Sequence, residues 1–182
     1  MAKNDNAHSI RMVSCIRGHF GDAAGAEFEE SFPLSKSASV EKKYAWAKSV
    51  CGYLEERFDS ETIITLRKNC RCNDGKSIAL KLLKYLKKAE TLEAFVQSFN
   101  ENESFASLEY LSDNRLLFCY PECYCGCVKR APGQLSNTWC YCTLGNAEGI
   151  FHSLFQRDVK VTLRESIKNG STRCAIEVEW EN

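Results

Sequence analysis

Between Val40 and Phe58 the apolar residues recur at Val40, Tyr44, Ala47, Cys51, Leu54 and Phe58, in steps of four and three, which is one face of an amphipathic helix. Asp59 and Ser60 follow as an N-cap pair for a second helix with Ile63, Leu66 and Cys70 on one side. Cys70-Arg71-Cys72-Asn73-Asp74-Gly75 reads as its stop and a turn. Two further helical stretches carry Ile78, Leu82 and Leu86, then Leu92, Phe95, Val96 and Phe99 after Thr91. The N-terminal half is therefore predicted to be a helical layer.

The polar run Asn100 to Ser104 ends that periodicity. Phe105–Tyr110 and Arg115–Phe118, separated by Ser112-Asp113-Asn114, predict a β-hairpin. From Thr143 a helix shows Leu144, Ala147, Phe151 and Leu154. Val159–Leu163 and Cys174–Trp180 then alternate strictly, with Asn169-Gly170 between them as a two-residue turn signal. That turn pairs Leu163 with Ile176, Val161 with Val178 and Val159 with Trp180 on one face, and Lys160 with Glu179 and Thr162 with Glu177 on the other. It also sets Glu165 opposite Cys174 on the inward side, where a carboxylate needs a metal ion or a cation as partner.

The expected fold class is α+β: a helical N-terminal layer packed on a small antiparallel sheet, with a C-terminal helix and a terminal β-hairpin. One domain is expected over residues 1–182, mainly helical over 1–104 and cysteine-rich α+β over 105–182. An apolar fraction of 44% and a charged fraction of 26% suit a chain that buries a core. With 24 basic and 24 acidic residues there is no excess charge to draw phosphate backbones or anionic lipid, so neither nucleic acid nor membrane is an expected partner. The N-terminus lacks a continuous apolar export segment, and a cytoplasmic location is expected.

Eleven cysteines change the picture. Their odd number and the absence of an export signal favour reduced thiols over a disulfide framework. Six lie in one stretch: Cys119, Cys123, Cys125, Cys127, Cys140 and Cys142. Thiolates are soft donors suited to zinc or to an iron–sulfur cluster, although this chain uses C-x-C steps where such motifs use C-x-x-C knuckles. In a strand, C-x-C points its sulfurs to opposite faces, so a shared ion requires the backbone to turn, as Pro121 and Gly126 permit. The candidate metal ligands are Cys123, Cys125, Cys127, Cys140, Cys142 and Cys174; Cys119 is the first to drop. Glu165, Trp139, Tyr124 and Tyr141 are candidate pocket walls or supports for the site. Cys15, Cys51 and Cys70 read as small packed hydrophobes, and His8, His19 and His152 as isolated side chains.

The segment Trp139-Cys140-Tyr141-Cys142-Thr143-Leu144-Gly145, a helix, Val159-Lys160-Val161, then Glu165, Gly170 and Cys174-Ala175-Ile176 resembles the ending of the 4-vinyl-reductase-type small-molecule-binding domain. That ending has a glycine near a helix start, a strand, a glutamate followed by a C-x-x-x-G-x-x-x-C motif and a final strand. Ser166 stands where the motif has its first cysteine. The resemblance spans roughly the last 65 residues. It implies an α+β fold related to vesicle-tethering subunits, a pocket for an apolar ligand under the helices and, as in several members, a cysteine-bound zinc whose ligands match Cys140 or Cys142 together with Cys174.

Three functions stay open. The first is a small-molecule-binding or sensor-type domain with a cysteine-bound metal and a small apolar ligand. The second is a thiol- or metal-dependent enzyme for hydrolysis or redox work, and the third a metal-braced protein-interaction domain. A homodimer is compatible with each.

Overall fold

The computed structural model describes residues 4–181. In chain order the elements are α1 (Ala7–Phe20), α2 (Asp22–Ser31), α3 (Val40–Arg57), α4 (Ser60–Asn69), α5 (Lys76–Leu86), α6 (Leu92–Asn102), β1 (Ser107–Ser112), β2 (Arg115–Tyr120), a short α7 (Asn137–Cys140), α8 (Cys142–Phe155), β3 (Val159–Glu165) and β4 (Cys174–Trp180). The fold is α+β, with the caps its sequence encodes. Asn6, Ser39, Asp59 and Thr91 each accept a backbone N–H at the start of α1, α3, α4 and α6, satisfying donors that a helix leaves unpaired. Among the described residues no helix is long and apolar enough to cross a membrane.

The chain divides into two compact units. One takes the chain up to Cys72 and again Tyr124–Cys142; the other takes Asn73–Cys123 and the chain from Thr143 on. The sequence pattern sets the change of character near residue 104, whereas α5 and α6 belong to the unit that contains the sheet.

The first unit is helical. Its core gathers Met12, Val13 and Ile16 of α1, Phe28 of α2, Ala47, Val50 and Leu54 of α3, and Ile63 and Leu66 of α4. The later segment adds Cys127, Val128, Leu135 and Trp139 to the same cluster. Trp46 and Trp139 meet edge to face at 5.7 Å, a favoured aromatic geometry.

In the second unit the four strands run in the order β1-β2-β4-β3, every neighbouring pair antiparallel. β2 is central. Leu116 pairs with Val178 and Phe118 with Ile176, extending the apolar row of the terminal hairpin across the sheet. α8 covers this face, with Phe151 edge to face on Phe118 at 5.4 Å and Phe155 against Trp180 at 4.1 Å.

The hairpin register matches the sequence reading at Val159–Trp180, Lys160–Glu179, Val161–Val178, Thr162–Glu177 and Leu163–Ile176. It differs beyond Leu163, where a bulge shifts the ladder so that Glu165 faces Ala175 and not Cys174. Cys174 pairs with Tyr120 instead. The connection is also longer than a two-residue turn: Ile167–Asn169 forms a turn of 3-10 helix closed by Gly170 at φ 99°. The extra residue absorbs the slip that a tight Asn169-Gly170 turn would not allow.

Two glycines test this packing in opposite directions. Gly75 caps α5 at φ 71°, and a Cβ there would lie 2.4 Å from Ile150 Cγ1; Gly52 in α3 has open space around it. In urea titrations, Gly75→Ala should lose about 1–3 kcal/mol, whereas Gly52→Ala should gain about 0.5–1 kcal/mol by removing glycine entropy from a helix interior.

Candidate functional site

The six candidate ligands do not fall in one unit. Cys125, Cys127, Cys140 and Cys142 belong to the first, Cys123 and Cys174 to the second. Among the described residues no group of three or more His, Cys, Asp or Glu side chains is arranged to hold a metal ion. Cys127 is a core residue, and Cys125, Cys140 and Tyr141 pack against the same apolar cluster. Local density in sequence becomes ordinary packing, because each thiol substitutes for a small hydrophobe at an inward position. Cys119 is likewise buried, on the sheet. Tyr124 is exposed, while Trp139 is buried.

Glu165 has a different partner from the one the sequence suggested. Arg173 donates from Nε to Glu165 Oε1 at 2.9 Å and also pairs with Glu109. These carboxylates hold the guanidinium charged, so the cation alternative, not a metal, supplies the counter-charge.

What the first unit does assemble centres on Arg67, a residue the sequence reading passed over. Ile63, Leu66 and Cys70 form the buried stripe of α4, and Arg67 sits one helical turn after Ile63 on that stripe, only 4% exposed. Its Nε donates to Thr138 O at 3.1 Å and its Nη2 to Trp139 O at 2.7 Å. Nη1 meets Met12 Sδ at 3.7 Å, and the guanidinium carbon lies 4.9 Å from the centre of the Trp139 ring. No carboxylate pairs with it among the described ion pairs.

An enclosed cavity of about 20 Å³ opens beside it, lined by His8, Arg11, Arg67, Cys70, Cys72, Cys125, Trp139 and Cys142. That is room for about one water molecule. Trp139 Nε1 donates to Cys125 Sγ at 3.4 Å, and the Cys142 thiol to Trp139 O at 3.7 Å. Gly126 passes close to His8: a Cβ there would lie 3.7 Å from His8 Nε2.

The thiols are held in their neutral form. Burial pushes Cys142 up to about 11, against the pull of Arg67, and raises Cys127 to about 12 and Cys51 to about 11. Cys15 moves the other way, because its hydrogen bond with Cys70 lowers it while the same bond and burial raise Cys70. An activated nucleophile would need a depressed thiol in the cavity, and Cys142 is the reverse.

The expectation of zinc or an iron–sulfur cluster is therefore corrected. The comparisons with solved structures also show neither. An H-NOX protein from S. oneidensis in the Fe(II)NO ligation state shares 12% identity at a TM-score of 0.46, over 98% of this chain and 100% of that one. A structure titled for modulating heme redox potential through porphyrin distortion shares 14% identity at a TM-score of 0.43, over 94% and 92% of the two chains. A trafficking protein particle complex subunit 3 from Naegleria fowleri, covalently bound to palmitic acid, shares 11% at 0.44, over 79% and 95%. No curated protein matches the sequence. A porphyrin does not fit the cavity that carries His8, which has a volume of about 20 Å³. His152 lies at the surface with Nδ1 3.0 Å from Arg157 O, and the exposed His19 stands edge to face on Phe20. The sequence model of a family of unknown function, DUF6144, matches residues 19–182.

The charge on this wall has a measurable consequence. Burial, reinforced by Arg11, Arg67 and Lys43, lowers His8 from its ordinary 6.5. A histidine whose folded value lies below its unfolded one takes up its proton more readily when unfolded. Stability is then complete above 6.5 and falls as the pH drops from there through the folded value. Urea midpoints should decline between about pH 7 and about pH 5, and His8→Gln should flatten that part of the profile; parallel profiles for the two proteins would refute it.

Proposed function

We propose that this chain, which belongs to DUF6144, a family of unknown function, is a small-molecule-binding domain of the sensor type, with the thiol- and guanidinium-lined cavity of its helical unit as the ligand site. One observation carries the reading: a guanidinium without a carboxylate partner, 4% exposed, faces an enclosed space of about 20 Å³. Desolvating a charge without pairing it is among the costliest features a core can hold, and such features concentrate at sites of binding. The neutral thiols favour binding over thiol catalysis, since none of those raised by burial is poised as a nucleophile. The resemblance of the C-terminal segment to the 4-vinyl-reductase-type domain agrees with a small-molecule role, without the zinc.

The test is to fill the cavity from its own wall. A panel of small neutral and charged molecules is screened by thermal shift against the wild type and against Cys142→Met, whose longer side chain occupies the space. Compounds that raise Tm in the wild type should lose that effect in the variant. If they stabilise both proteins equally, or if nothing in the panel binds, the cavity is not the ligand site.

A further inference from the structure

The described charges around the cavity are of one sign. Arg67 is at its inner end and Arg11 on its α1 wall, with His8 beside them and Lys43 near enough to act on His8. The other titratable groups facing Arg67 are the thiols of Cys142, Cys70, Cys51 and Cys125. Those of Cys142, Cys70 and Cys51 stay protonated at neutral pH because burial raises them. The guanidinium gives Nε and Nη2 to two peptide carbonyls, whose dipoles offset its charge in part, while Nη1 meets the thioether of Met12. Thioether sulfur is a weak acceptor.

We infer that the cavity binds a small, weakly hydrated, singly charged anion, with Arg67 as its charge partner and Arg11 as the second cation of its wall. This rests on the reading of the cavity as the ligand site and adds the ligand's class. Size sets the first limit, since about 20 Å³ admits an ion of one to a few atoms. The lining sets the second. Thiols, an indole and a thioether give little hydrogen bonding to replace lost water, so an anion that holds its water weakly enters at lower cost than one that holds it tightly. Charge number sets the third, because a second negative charge in so dry a space would have only Arg11 left to oppose it.

The full chain, kept reduced, is titrated with sodium iodide and with sodium thiocyanate, and with sodium fluoride as the strongly hydrated control, all at constant ionic strength. Thermal shift reads stabilisation, and tryptophan fluorescence reads contact of iodide with the buried Trp139. Iodide and thiocyanate should raise Tm saturably and iodide should quench saturably, while fluoride does neither. Arg67→Met should abolish both responses, and Arg11→Gln should weaken binding roughly two- to fivefold, as loss of one partly exposed charge does. If Arg67→Met fails to fold, Arg11→Gln and Cys142→Met carry the test. Equal linear effects of all three salts, or a saturable response that survives Arg67→Met or Cys142→Met, would overturn the anion. Neutral compounds that bind and are excluded by Cys142→Met, with no anion doing so, would leave the cavity as the ligand site and remove only the anion class.

Discussion

The helical unit depends on one buried cation. Arg67 reaches from α4 to the carbonyls of Thr138 and Trp139, so a single side chain fastens the first four helices to a stretch of chain some seventy residues later. A guanidinium suits this work because its donors lie in a rigid plane and engage two successive peptide oxygens at once. Where Arg67 holds the Trp139 backbone, the indole is fixed against Trp46, and with it the edge of the cavity. Packing and charge are thus joined: the residue that closes the unit is also the one that gives its interior a sign.

The sheet-bearing unit solves its polar problem by more ordinary means. Arg173 has two carboxylates, Glu165 and Glu109, and its charge is neutralised where it is only partly buried. The contrast locates the unusual site. A cation with two carboxylates is a brace, and a cation with none is an unsatisfied demand.

Much of the fold was legible because it is written in short-range periodicity. Steps of three and four gave α3, and Asp59 and Thr91 marked the starts of α4 and α6 as they do in the structure. Strict alternation gave five cross-strand pairs of the last hairpin. The bulge after Leu163 escaped because a two-residue turn and a longer one with a slipped ladder share the same alternating strands. The site was harder to read. Treating cysteine as chemistry hid its other character, so the apolar anchors Cys127, Val128, Leu135 and Trp139 did not register as a core strip. Arg67 did leave a signal, a charge four positions after Ile63 on an otherwise apolar stripe, but its partners lie too far along the chain for any local pattern to show them.

The chain leaves the helical unit at Cys72, runs through two helices and two strands, and comes back for Tyr124–Cys142 before departing again. During synthesis the first seventy-two residues therefore emerge with a groove where Val128, Leu135 and Trp139 belong, and with Arg67 lacking both of its carbonyls. Roughly the first three-quarters of the polypeptide must be made before its earliest helices can finish folding. The last helix and both strands of the closing hairpin are still to come at that moment. The two units are thus stitched in time as well as in sequence, and neither can be cut from the gene as one continuous piece.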